Sequence, residues 1–398
     1  MPPDTILVIV GDTVHHRDAE GRLCTHGALA AQLDLWARHF DRVRFCGVLS
    51  PGDPPPGFEP YHSANVELVP LEQAGGTGLR AKLGVLRAWH SWLGVMVPAL
   101  KTADAVHLRT PCNVTIPGIA ASRLLVRARY AVYAGSWQRY PGEPATYRLQ
   151  RAALRRWFGG VVHAYLPVGG PLDRENVRPT FSPVLTAAEL DEVAAAASQV
   201  RDQTPPLESG RALRVVCVGR FSTNKNQLTL LEALRRLQRL GVAVECRFIG
   251  NGSGARGVEA AASDLRGVSF MGQVDRAAVY RAMAWADLNV LPTFYEGYGK
   301  VLLEGMSAGA LPVASDTLIN RETTGGSGWV FDPHDAEDLA QVIASAIRMP
   351  REDWRERRSV AATYARHHTM DELGDEVDHI VGTIWGFGRT GGSHAPLP

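Results

Sequence analysis

Residues 294–312 read F-Y-E-G-Y-G-K-V-L-L-E-G-M-S-A-G-A-L-P. The D-L-N-V-L just before them, at 287–291, has the length and apolar character of a buried strand, and Pro292 closes it. Gly297 and Gly299 let the backbone approach a ligand closely. From Lys300 onward Val301, Leu302, Met306 and Ala308 recur at helical spacings. A strand, a glycine loop and a helix start in that order expose unpaired N–H groups and a positive dipole end, which suit a phosphate. Seven residues separate Glu296 from Glu304, so the first lies in the loop and the second about one and a half turns into the helix. An arbitrary pair of this kind is ordinarily one loop residue and one solvated helix residue. Carboxylates also accept hydrogen bonds from hydroxyls without a metal, so two of them some distance apart can hold two polyols, a ribose and a sugar.

Working outward, the chain alternates short β-branched runs with longer helical patterns, which is the pattern of doubly wound parallel sheets. Strands are expected at 5–10, 43–48, 66–70, 105–108, 130–133 and 161–166, and again at 213–218, 244–249, 268–270, 288–291 and 311–314. Leu29, Leu33, Trp36 and Phe40 give one apolar helix face, and residues 11–27 before it read as a loop lining a cleft. Residues 51–60, rich in proline, read as a polar connector. Residues 79–100 read as a helix packed into the core rather than onto a membrane. Residues 199–210, Q-V-R-D-Q-T-P-P-L-E-S-G, read as a linker. The expected organisation is a first domain over 1–190, a linker over 191–212, a second domain over 213–370, and a returning helix with a flexible tail over 371–398.

The 398 residues suffice for two full cores, with 45% hydrophobic and 21% charged residues. Five scattered cysteines without a C-x-x-C pair indicate neither a disulfide framework nor a zinc site, so a reducing cytoplasm is expected. The stretch from Met1 into residues 5–10 shows no basic n-region or cleavage site and no run reaches the length of a membrane span, so neither export nor a transmembrane helix is expected. A net charge of +1 argues against nucleic acid as a partner, but the distribution is uneven. Residues 76–160 hold thirteen Arg and Lys against two acids, Asp104 and Glu143, a net +11 that leaves the remainder near −10. Such asymmetry points to a surface that meets an anionic partner, and peripheral contact with an anionic inner-leaflet membrane is one expectation. Trp89, Trp92, Trp137 and Trp157 read as exposed aromatics of that segment, with Arg148, Arg151, Arg155 and Arg156 spread around a helix.

Other candidates surround the two glutamates. Gly219, Arg220 and Lys225 follow the first strand of the second domain, where two cations can bracket a diphosphate. Gly252, Gly254 and Gly257 satisfy G-x-G-x-x-G, but they follow the second strand of their domain, whereas a dinucleotide fingerprint occupies the first turn. The pairs His15–His16 and His367–His368 have no metal-ligand spacing and read as surface histidines. No D-x-D triplet and no G-x-S-x-G elbow is present.

The E-x7-E stretch with its G-Y-G, the following G-A-L-P-V-A-S-D at 309–316, and the G-R-F-S-T-N-K segment at 219–225 together resemble the retaining nucleotide-sugar glycosyltransferases of family four. The resemblance implies a GT-B fold: two Rossmann-like α/β domains facing a cleft, with a C-terminal helix crossing back to the first. It implies that Arg220 and Lys225 neutralise the leaving diphosphate, that Glu296 holds the transferred sugar, and that Glu304 holds the ribose. Gly219, Asn251, Gly252, Val274, Gly297, Tyr298, Gly299 and Lys300 would line the donor. The family's D-x-V-H-x-H segment appears here as D-A-V-H-L-R, placing His107 and Arg109, with Trp137, on the acceptor side. Arg109 stands where the family carries its donor-facing histidine. Residues 133–137, Y-A-G-S-W, and 147–151 resemble a branch from bacterial surface-polysaccharide clusters.

The expected activity is therefore transfer of a sugar from a nucleoside-diphosphate sugar, UDP before GDP, to a carbohydrate or lipid-linked acceptor. The donor is a co-substrate, and neither a cofactor nor a metal is expected. A nucleotide-sugar epimerase on the same fold, or a non-catalytic nucleotide- or sugar-binding subunit, are the alternatives.

Overall fold

The computed structural model describes residues 4–75, 79–167, 174–200, 208 and 210–387. The chain divides into two compact units. The first takes the chain up to Tyr165, a short strand near residue 178, and everything from Met370 on; the second takes Phe181 to Thr369.

The first unit is built on β1 (Ile6–Arg17), β2 (Leu23–His26), β3 (Arg42–Leu49), β4 (Phe58–Pro60), β5 (Val66–Pro70), β6 (Ala105–Thr110), β7 (Ala128–Tyr133), β8 (Val161–Ala164) and β9 (Val177–Pro179). Its main sheet is parallel in the order β5-β3-β1-β6-β7-β8-β9. Parallel strands are covered on both faces, so the inner segments are apolar throughout, as in Leu7, Val8, Ile9 and Val10. The stretch expected as a cleft loop at 11–27 is instead largely strand. After a break in register between Val10 and Val14, β1 continues to Arg17 and pairs antiparallel with β2, which pairs with β4. β4 takes up the end of the supposed connector at 51–60. His15 and His16 are consequently buried, not on the surface: His15 bonds Tyr61 Oη at 2.9 Å and His16 bonds the Gly52 carbonyl at 3.1 Å.

The helix Leu79–Lys101 packs Trp92, Met96 and Leu100 into the core, with Trp92 Nε1 donating to the Glu72 carbonyl at 2.8 Å. Trp92 and Trp137 are thus buried, whereas Trp157 is exposed. Arg151 is also buried, paired with Glu143 at 2.6 Å, so only part of the expected arginine surface exists. The C-terminal helix Met370–His379 runs on through a π-turn to Trp385 and belongs to this unit. Asp378 pairs with Arg38 and, at 2.9 Å, with His39, while Trp385 meets the Trp36 ring at 5.7 Å. Most of the expected tail lies outside the described residues.

The second unit carries β10 (Leu213–Val218), β11 (Val244–Ile249), β12 (Val268–Phe270), β13 (Leu288–Leu291), β14 (Leu311–Ser315) and β15 (Trp329–Phe331). They form one parallel sheet in the order β12-β11-β10-β13-β14-β15. This is the Rossmann order, reversing direction at β10. The first ten residues of the expected linker, 191–200, are helical instead. Residues 187–200 form a helix that belongs to this unit, and residues 201–207 lie outside the described ones. Alanine is the strongest helix former, and Val193 and Ala197 of the A-A-E-L-D-E-V-A-A-A-A-S run pack on the core beside Met283 and Ala308. A capping box starts it: Thr186 N donates to Glu189 Oε2 at 2.8 Å, and Glu189 N to Thr186 Oγ1 at 3.2 Å.

Candidate functional site

In an open parallel sheet ligands bind beyond the carboxyl ends of the strands at the point where strand order reverses. Here that point is the gap between β10, whose neighbour on one side is β11, and β13 on the other. Three loops converge on it. The loop after β10 is held to the loop after β11 by Gly219 N on the Ile249 carbonyl and Phe221 N on the Asn251 carbonyl, both 2.9 Å. Only glycine fits the crossing: a Cβ on Gly250 would lie 2.1 Å from the Gly219 carbonyl oxygen, and Gly250 also has a φ of 139°.

The loop after β13 is tied to the same element through two asparagines. Asn224 Nδ2 donates to the Tyr295 carbonyl at 3.0 Å and its Oδ1 accepts from Tyr295 N at 3.2 Å. Asn226, left-handed at φ 52°, donates through Nδ2 to the carbonyls of Pro292 and Pro333 at 3.0 and 2.8 Å. These ties bring Lys225 Nζ to 2.6 Å from Glu296 Oε2, across 71 residues of sequence. The other oxygen of Glu296 accepts from Gly297 N at 3.2 Å. The sequence reading passed over Asn224 and Asn226, although an asparagine on each side of Lys225 was the available signal for a tight side-chain-bonded turn.

Helix Lys300–Ser307 begins at Gly299 without a side-chain cap. It is seated on β13 by Asn289, whose Nδ2 donates to the Val301 carbonyl at 2.6 Å, and a Cβ on Gly305 would come within 2.3 Å of that nitrogen. Glu304 is half-buried on this helix, with a long 3.5 Å bond from Tyr280 Oη. Burial pushes its carboxyl above the ordinary range, against the opposing pull of Arg276 and Lys300. Tyr280 and Arg276 are site residues that no sequence motif signalled. Arg276 donates to the Val184 carbonyl at 2.9 Å and lies over the Tyr280 ring.

The remaining candidates separate. Arg220 is exposed, with its own carbonyl fixed by Gln227 Nε2 at 3.0 Å. Asn251 is exposed beside Gly252, whose N–H it accepts at 2.7 Å. Tyr298 is buried, and the partly buried Val274 packs against the core. Gly297, Gly299 and Lys300 lie along the turn below Glu296. In the first unit His107 is 2% exposed, wedged between Trp36 and Tyr130 with ring centroids 4.8 and 4.7 Å away, and neither ring nitrogen has a hydrogen-bond partner. Burial and Arg109 keep it neutral, holding its pKa well below the ordinary value. It is a core residue, as is Trp137, stacked edge-on with Tyr133 at 5.1 Å. Arg109, at the end of β6, is half-buried; burial lowers its pKa, and the hydroxyls of Tyr165, Tyr130 and Tyr61 offset this. Among the described residues no group of three or more His, Cys, Asp or Glu side chains is arranged to hold a metal ion.

Two Rossmann-type units with the ligand-facing loops of the second gathered at its switch point define the GT-B architecture. Solved structures share it across the chain. A sucrose-phosphate synthase from Thermosynechococcus elongatus superposes with a TM-score of 0.68 at 16% identity, over 96% of this chain and 99% of its own. An α,α-trehalose-phosphate synthase (UDP-forming) from Burkholderia xenovorans gives 0.67 at 14%, over 94% and 99%. Residues 212–349 match the family described as glycosyl transferases group 1, so the site built above falls within that domain. The phosphatidyl-myo-inositol mannosyltransferase of Mycolicibacterium smegmatis is 32% identical over 181 residues, 44% of this chain and 46% of that protein. The sulfoquinovosyl transferase of Arabidopsis thaliana is 28% identical over 160 residues, 39% of this chain and 29% of its own. The chain spans less than half the length of these curated relatives in the matches.

Proposed function

We propose that this chain is a glycosyltransferase that moves a hexose-type sugar from a nucleoside-diphosphate sugar to a carbohydrate or lipid-linked acceptor, with retention of configuration and without a divalent metal. Assembly of bacterial polysaccharide or glycoconjugate is the setting. The observation that carries the reading is the meeting of Lys225 and Glu296 at 2.6 Å, beside the turn at Gly297 and Gly299, where β10 and β13 present their loops. A cation, a carboxylate and backbone amides at a switch point suit a diphosphate joined to a polyol.

In this reading Arg220, Lys225 and the amides of the turn stabilise charge as the bond from the anomeric carbon to the diphosphate breaks and its electron pair leaves with the phosphate oxygen. The acceptor oxygen bonds to that carbon on the same face, and its proton passes to the departing phosphate. Glu296 orients the sugar through its hydroxyls. Glu304 accepts from the ribose, and its long contact with Tyr280 leaves lone pairs for that bond. The glycosyl transferases group 1 match supports the reaction class, and UDP is the first candidate for the base, with GDP the second.

The test is release of nucleoside diphosphate from a panel of UDP- and GDP-sugars with and without candidate acceptors, repeated in excess EDTA. Acceptor-dependent release that persists in EDTA is expected. Conversion of the donor sugar without an acceptor would identify an epimerase instead, and activity restored only by magnesium or manganese would remove the metal-free mechanism.

A further inference from the structure

Two neighbouring helix ends in the first unit carry an unusual surface. Helix Thr115–Leu125 ends in Arg123, Leu124 and Leu125, and helix Ala145–Arg156 ends in Arg155, Arg156 and then Trp157. Arg123 Nε donates to the Trp157 carbonyl at 3.1 Å, and Arg129 donates to the Gly159 carbonyl at 2.8 Å, so the two ends are stitched into one face. Leu124 is 78% exposed and Trp157 46%, far from the burial that side chains of this size reach in a core. On the second helix Arg148, Leu149, Ala152 and Arg156 are all exposed at spacings of one side of a helix, with Leu149 at 57%.

An ordinary solvated helix face mixes acids with bases. This one has none. The two acids between residues 76 and 160 are committed elsewhere: Glu143 is buried against Arg151, and Asp104 Oδ2 accepts the Ile6 N–H at 2.7 Å. Arg174 and Glu175, which flank the face beside Asn176, add one charge of each sign.

We propose that this face of the first unit docks on an anionic lipid bilayer, with Leu124, Leu149 and Trp157 entering the headgroup boundary and Arg148, Arg156 and Arg127, the last exposed two residues beyond the end of the first helix, pairing with lipid phosphates. The occupant follows from the combination. Exposed arginines alone would suit any polyanion, but leucines and a tryptophan among them gain nothing from a soluble one, whereas a bilayer boundary takes both. No helix among the described residues is long and apolar enough to cross a membrane, so the contact is peripheral. It does not depend on the glycosyl-transfer reading.

The experiment is flotation of the full chain with vesicles of phosphatidylglycerol and phosphatidylcholine, and of phosphatidylcholine alone, at about 0.1 M and about 1 M salt, where screening lengths are about 10 and about 3 Å. Binding to the anionic vesicles that fades at high salt is expected. Arg127→Gln with Arg156→Gln should lower partitioning about fivefold each, on the order of twentyfold together. Leu124→Gln, at a site too exposed to disturb folding, should weaken vesicle binding severalfold while leaving retention on a heparin column unchanged. Equal binding to both vesicle types, or none to either, overturns the proposal. So does a Leu124→Gln variant that binds anionic vesicles like the wild type, since the face would then be a general polyanion surface.

Discussion

The Lys225–Glu296 pair makes a prediction that runs against the usual effect of deleting a site residue. With the two side chains 2.6 Å apart, the ammonium group that would meet a diphosphate already has an anion beside it. Glu296→Gln should therefore weaken catalysis yet tighten binding of free nucleoside diphosphate. Two unit charges about 4 Å apart interact by about 4 kcal/mol at an effective dielectric of about 20, which sets the scale before screening. The side chains are 26% and 18% exposed, so solvent screens part of it, and fully exposed pairs contribute only about 0–1 kcal/mol. An intermediate gain of about 1–2 kcal/mol is expected, or roughly 5- to 30-fold in Kd. Isothermal titration of UDP and GDP into the wild type, Glu296→Gln, Lys225→Met and the double variant measures it. The gain should vanish in the Lys225→Met background. Unchanged or weaker nucleotide binding in Glu296→Gln, or a gain that survives loss of Lys225, would refute the assignment of Lys225 as the cation that meets the diphosphate.

Glu304→Gln should act the other way, weakening free nucleoside diphosphate by about 1–3 kcal/mol as a ribose hydroxyl loses a charged acceptor; the same titration checks it, and an unchanged Kd would place the ribose elsewhere. Glu376 sets a pH dependence in the first unit. Its carboxyl, bonded by Thr180 Oγ1 at 3.1 Å and 3.3 Å from His163 Nε2, is pushed from 4.5 up to about 7 by burial. A raised folded-state pKa contributes stability that is complete below about 4.5 and is lost as pH rises through about 7, with a ceiling of about 3 kcal/mol. His163, lowered by burial to about 3, has the opposite slope as pH falls below its ordinary 6.5, so the wild-type curve is partly compensated. The Tm of the wild type minus that of Glu376→Gln should therefore grow as pH is lowered from 7 to 5, and a flat difference would contradict it.

Much of the second unit was legible residue by residue. The runs at 213–218, 244–249, 268–270 and 288–291, rich in β-branched and other apolar residues, form strands with those bounds, the inner 288–291 buried along its whole length and the edge strand 268–270 only partly buried. The glycine loop and the helix carrying Glu304 were likewise visible in local pattern, and so was the crossover of the chain's last helix. The extension of the first strand through T-V-H-H-R was not legible, because the stretch has no two-residue alternation in sequence or burial and is held by its pairing with residues 23–24 and 48–49. The alanine run at 194–197 was misread as linker because its neighbours are proline and acid, whereas the partner that makes it a helix of the second unit lies about 90 residues further on.

What the sequence by itself determined, then, is the set of elements and the chemical type of the site residues, since both follow from side-chain size, polarity and period within a few turns of chain. Which residues meet was decided only by tertiary structure. Lys225 reaches Glu296 because β13 inserts next to β10 after two intervening strands, and strand order is set by how whole layers pack. The same cause buried His107, Trp137 and Arg151, whose residue types read as functional or exposed, and left Leu124 and Trp157 in solvent. Burial is a property of what lies opposite a side chain, and what lies opposite comes from distant parts of the chain.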